Sequence, residues 1–250
     1  MESHSRVAQG GHEIAGEPAW REGFARPQVF LQPIAAPSIL GLFGFATATM
    51  MIAANLAGWY GSTLTPLMIF PFAGVFGGVT QLLAAMWAFR ARDAVATAMH
   101  GTWGSFWIGF SILQTLVLFG KLPPVPKGAV SHELGFWFIM LAAVTLSGAL
   151  ATLLDNPGLV TVFGPLSGGA ACLAVGYWVG SSGWITAGGW VLAFSAGFAW
   201  YNATALMMLG SSGRTILPIG KPRRAALRPG DKAMEAIELP WAEPGIKQGQ

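Results

Sequence analysis

The placement of charge along this 250-residue chain constrains its fold more than any other feature. Pro27 to Phe89 holds no Asp, Glu, Lys or Arg over 63 residues. Nor do Ala94 to Gly120 (27 residues), Leu134 to Leu154 (21) or Asn156 to Gly213 (58). A domain folded in water needs charge to cover its surface. Charged residues make up 10% of this chain, against about a quarter in ordinary globular proteins. The sequence is that of an integral membrane protein. Its net charge of +3 does not point to nucleic acid, because the basic residues sit beside apolar spans, as topology signals do. The single cysteine, Cys172, lies in mid-span and forms no intrachain disulfide. The first 26 residues lack an apolar core for a cleavable leader, so the first span is expected to direct insertion.

About 20 apolar residues in a helix cross the ~30 Å hydrocarbon layer, which allows each charge-free run to be counted in spans. The longest holds two, parted at Gly58-Trp59-Tyr60-Gly61-Ser62-Thr63, and the last holds two, parted at Gly180-Ser181-Ser182-Gly183. The expected fold is an all-α membrane protein of six transmembrane helices, near 38–58, 64–89, 94–119, 134–154, 159–180 and 184–209. An even number puts both termini on one side, and that side carries 12 of the 14 Lys and Arg, with Arg26, Arg90, Arg92 and Arg214 close to span ends. Both termini are therefore expected in the cytoplasm, and the protein in the inner (plasma) membrane. Residues 1–35 and 222–250 read as polar, flexible tails around a six-helix domain at 36–221.

Polar side chains within spans need a partner or a water-lined cavity. Thr49, Gln81, His100, Tyr201 and Asn202 are the candidates for lining a pathway or bonding a solute. His100 admits two roles, a group that titrates near neutral pH or a hydrogen-bonding fastener between helices. Gln81 and Asn202 admit the same pair of roles. No Asp, Glu, Lys or Arg lies inside any span, so the expected pathway is uncharged and suits a small, nearly neutral solute. Small residues spaced by four, such as Gly74/Gly78, Gly164/Gly168, Gly176/Gly180 and Ala193/Gly197, permit close helix packing in lipid. Gly164-Pro165-Leu166-Ser167-Gly168-Gly169 in span 5 is expected to be either a broken pathway wall or a plain kink. The spans carry no metal-ligand spacing and no nucleophile–base pattern. Neither catalysis nor a cofactor or metal is expected.

Three stretches resemble the acetate uptake transporter family, which includes bacterial succinate–acetate permeases. They are Leu40-Gly41-Leu42-Phe43-Gly44-Phe45, then Gly77-Gly78-Val79-Thr80-Gln81 with Gly104-Ser105-Phe106-Trp107, and Gly213-Arg214-Thr215-Ile216-Leu217-Pro218-Ile219-Gly220. The resemblance implies a six-helix subunit that assembles as a hexamer, with a pore in each subunit. It implies transport of acetate, succinate or similar short carboxylates, channel-like or coupled to protons. It places a hydrophobic constriction at Phe45, Trp103 and Leu166. The family's Asn-Pro signature reads Ala36-Pro37-Ser38 here, which removes a helix cap and leaves Ser38 as a candidate at the mouth of span 1. The family's constriction tyrosine is Trp103, and two of its carboxylates are Ala88 and Leu206. Two other functions fit the same architecture: a channel for neutral solutes such as urea, ammonia or undissociated acids, and a non-transporting sensor or scaffold acting through the C-terminal tail.

Overall fold

The computed structural model describes residues 34–153 and 156–219, together with two short strands. Among the described residues there are six helices: α1 (Pro37–Leu56), α2 (Thr65–Ala91), α3 (Ala94–Leu118), α4 (His132–Thr152), α5 (Pro157–Val179) and α6 (Ser182–Ser212). β1 (Gln28–Val29) and β2 (Ile237–Glu238) pair antiparallel, Gln28 opposite Glu238. This ladder belongs to a compact unit of its own, separate from the helical unit at Pro33–Lys232. An all-α reading had no place for it, because two residues are too short for a strand pattern to register in sequence. The expected flexibility of the two tails concerns residues that otherwise lie outside those described.

Each helix begins where its sequence supplies a cap or a proline. Pro37 and Pro157 open α1 and α5 at the first position, where a missing N–H costs nothing. Asp93 caps α3 by accepting from the Ala96 amide at 2.9 Å, and Ser131 caps α4 at Leu134. Ala36 gives α1 no side-chain cap. The turn from α2 to α3 is made by Arg92 alone in the left-handed region, φ 57°, which makes the two helices a tight antiparallel hairpin.

The helices close into a ring. Each packs against its neighbours in sequence, and α6 returns to α1 in one of the most extensive contacts of the molecule. The weakest seam between neighbours lies between α3 and α4. Large aliphatic and aromatic side chains point outward all round, Met68, Phe72, Trp137, Phe136 and Trp200 among them, each more than half exposed. In water such a surface would drive association; lipid tails cover it at no cost. Five of the six helices are long and apolar enough to cross a membrane. The sixth, α3, has 25 charge-free residues but is diluted by several hydroxyls and by His100 and Gln114, which face the interior of the ring.

Span 5 is a continuous helix in spite of Pro165, so its glycine–proline segment does not break the backbone. The irregular stretch lies in α2, where Ala73–Thr80 winds as a π-helix between α-helical ends. Pro71 sits just before it without an N–H to offer the preceding turn, and Gly74, Gly77 and Gly78 make the wider winding accessible.

Candidate functional site

The side chains that meet inside the ring come from one register. α1, α3 and α5 run in the same direction, and each contributes residues between its sixth and tenth positions: Leu42 and Phe45, then Met99, His100 and Trp103, then Val162, Phe163 and Leu166. At 1.5 Å rise per residue this is one layer, roughly 10 Å from the helix starts. Gln81, the first residue after the π-helical turns of α2, completes it. The space these residues enclose is about 10 Å³, no more than one water molecule needs. Phe45, Trp103 and Leu166 are each at least 96% buried, and Phe45 meets Trp103 edge to face with ring centres 6.2 Å apart.

The polar atoms of this neck are mostly engaged. Gln81 Nε2 donates to Gly77 O at 2.6 Å, on its own helix, and Gln81 Oε1 lies 3.3 Å from His100 Nδ1. Because that oxygen only accepts, a neutral imidazole carries its proton on Nδ1 and keeps Nε2 as an acceptor. Trp103 Nε1 donates to Thr145 Oγ1 on α4 at 3.0 Å. The indole therefore shows the neck only its apolar face.

Beyond the neck, on the side where α1, α3 and α5 end, lies a cavity of about 130 Å³ lined by all six helices. Its polar lining residues are Thr49, Asn55, Gln114 and Tyr177, and Trp103 and Trp107 border it with them. Thr49 Oγ1 and Trp107 Nε1 are buried and have no hydrogen-bond partner in the protein. An unpaired buried donor costs about 1–3 kcal/mol, and both residues border this vestibule. Trp103 lines both spaces and stands between them.

Of the residues expected to line a pathway, the structure brings Phe45, Trp103, Leu166, Gln81 and His100 together at the neck and puts Thr49 in the vestibule. Ser38, Tyr201 and Asn202 line neither space. Ser38 lies in the first turn of α1. Tyr201 donates its hydroxyl to Pro218 O at 2.9 Å, and Asn202 Nδ2 donates to Gly158 O and Phe198 O at 3.2 and 2.8 Å. Asn202 thus fastens α6 to the start of α5. Met99, Val162, Phe163, Trp107 and Tyr177 were not read from the sequence as lining residues. The signal for the first three was available, since they repeat the helical register of Trp103 and Leu166.

A ring of apolar helices around a narrow neck and a polar-studded vestibule defines a multi-pass membrane protein with an interior lined by all six helices. The chain belongs to the GPR1/FUN34/yaaH family, whose model matches residues 23–219. It is 26% identical to the succinate-acetate/proton symporter SatP of Escherichia coli over 75% of this chain and 96% of that protein. It is 28% identical to the ammonia transport outward protein 2 of Saccharomyces cerevisiae over 68% of this chain and 61% of that protein, so it spans about three-fifths of the length of that relative. Among solved structures, one described as the bacterial acetate channel SatP superposes with a TM-score of 0.68 at 26% identity, covering 75% of this chain and 99% of the other.

Proposed function

We propose that the protein conducts acetate and similar short carboxylates, succinate among them, across the inner membrane through the neck at Phe45, Trp103 and Leu166. The observation that carries this reading is the neck itself: about 10 Å³ of space, lined without a single charged side chain, opening on a vestibule of about 130 Å³. A carboxylate anion would lose its hydration there against no counter-charge, at a cost of several kcal/mol. The neutral acid loses far less and can donate its O–H to His100 Nε2. The solute therefore carries its own proton, and the neck opens by wetting and rearrangement of its rings.

In this reading all six helices cross the membrane, with both termini in the cytoplasm and the vestibule on the outer side. The near-terminal arginines support that orientation. Lys127 lies in the α3–α4 connection, which is then external, and donates to Leu56 O at 2.8 Å at the rim of the vestibule. Its ammonium caps the negative end of α1 and attracts anions to the mouth. Assembly into hexamers would place the open faces at Gly109, Gly164 and Gly197, where an added Cβ meets nothing within 4 Å, against lipid or a neighbouring subunit.

A second reading, passage of ammonia or another small neutral solute, draws on the name of the yeast relative and on the same lack of charge. Purified protein in proteoliposomes separates the two. Labelled acetate uptake that rises as the outer pH falls, and is competed by propionate, supports carboxylate conduction. Flux of ammonia or urea that is insensitive to acetate, with no acetate uptake, overturns it.

A further inference from the structure

We propose that Thr145 is the positioning residue for the Trp103 side of the neck, so that one hydroxyl on α4 sets the size of acid that passes. The proposal rests on the conduction reading above. α3 and α4 are the least closely packed neighbours in the ring, so the backbone there does little to fix the large ring that projects across the seam. Side chains do it instead. Trp103 Nε1 donates to Thr145 Oγ1 at 3.0 Å, and Thr145 Oγ1 donates in turn to Leu141 O at 2.6 Å. The hydroxyl proton is spent on its own helix, which leaves the oxygen lone pairs turned to the indole. Thr145 is fully buried and Trp103 is 4% exposed, so water does not compete for this bond.

The remaining contacts of the indole are of a different kind. Phe45 and Phe106 meet it edge to face, with ring centres 6.2 and 5.6 Å away. Such contacts permit sliding and tilting, whereas a hydrogen bond from the single indole N–H fixes direction. On its other side Trp103 borders the vestibule, where there is room for the ring to swing. A released indole has an unpaired N–H to satisfy and the polar vestibule in which to satisfy it. That movement would join the two spaces and widen the neck. The bond to Thr145 holds it closed.

The test compares size selectivity, not total flux, in proteoliposomes given acetate and butyrate. Thr145→Val, nearly isosteric, removes the acceptor; it should raise the butyrate-to-acetate flux ratio about fivefold, the factor that corresponds to the net worth of one hydrogen bond. Thr145→Ser keeps the hydroxyl and should keep the wild-type ratio. In a Trp103→Phe background there is no N–H to position, so Thr145→Val should add no further change. Thr145→Ala makes the same comparison if the valine variant does not reconstitute. A wild-type ratio in T145V, a raised ratio in T145S, or an equal shift in the Trp103→Phe background would each overturn the role of Thr145. Wild-type protein that passes neither acid would instead overturn the conduction reading.

Discussion

The imidazole of His100 rests on Gly41: a Cβ built on that glycine would fall among the ring atoms of the histidine. α1 and α3 approach that closely because one of them has no side chain at the crossing. The ring is held from its other side by Gln81 of α2, so three helices meet at a single buried polar group.

Gly41→Ala should therefore force His100 out of place. Both residues are enclosed, so the ring has little room to yield, and overpacking of this kind costs about 1–3 kcal/mol. The expected result is a lowered melting temperature in detergent together with loss of acetate flux. A variant that melts like the wild type and conducts normally would show that the contact is slack.

Trp103→Ala should widen the neck and relax selectivity toward larger acids. The indole is the one side chain that borders both the 10 Å³ and the 130 Å³ space, so its loss joins them. Flux of acetate, propionate and butyrate measured side by side reads this directly. Unchanged rate and selectivity would remove Trp103 from the constriction.

His100→Phe should lower acetate flux at every pH between about 5 and 8 and leave the shape of the profile unchanged, because the acid carries its own proton and the variant loses only the ring nitrogen that accepts from it. Flux recorded across that range in matched buffers is the check. A wild-type rate would assign His100 to fastening α3 against α2, and a flattened profile would make His100, not the substrate, the carrier of the proton.

Thr49→Val should raise the half-saturating acetate concentration about fivefold, the equivalent of one net hydrogen bond, and leave stability unchanged. Its Oγ1 has no partner in the protein, so folding loses nothing when it is removed. Asn202→Ala should do the reverse. Its amide bonds Gly158 O and Phe198 O, so its loss should cost about 1–3 kcal/mol of stability with the selectivity ratio intact. Melting curves and concentration-dependent uptake of the two variants distinguish a solute-facing hydroxyl from a structural clip.

Much of the architecture was legible before folding because membrane insertion reads local composition. The break at Gly58–Gly61 and the turn at Gly180–Gly183 correspond to the ends of α1 and α5, and the run from Ala94 to Gly120 became α3. The location of irregular backbone was not legible. Pro165, flanked by glycines, stays within a regular helix, whereas Pro71 is followed by π-helical turns. A proline states that one hydrogen bond is missing; the packing of neighbouring helices decides how the backbone adjusts around it.

The site divides along the same line. Phe45, Trp103 and Leu166 could be named from a family likeness, and Gln81 and His100 from being polar where polarity is costly. Tyr201 and Asn202 met the same criterion, yet their polar groups turn to backbone carbonyls instead of the interior of the ring. Sequence by itself determined that this chain must lie in lipid and that its interior would hold no fixed charge, since both follow from which residues are present and how long their apolar runs are. Tertiary structure alone decided which polar atoms are satisfied by the protein and which are left unpaired. That depends on where six separate helices bring their side chains within about 3 Å of one another, a distance no spacing along one chain encodes.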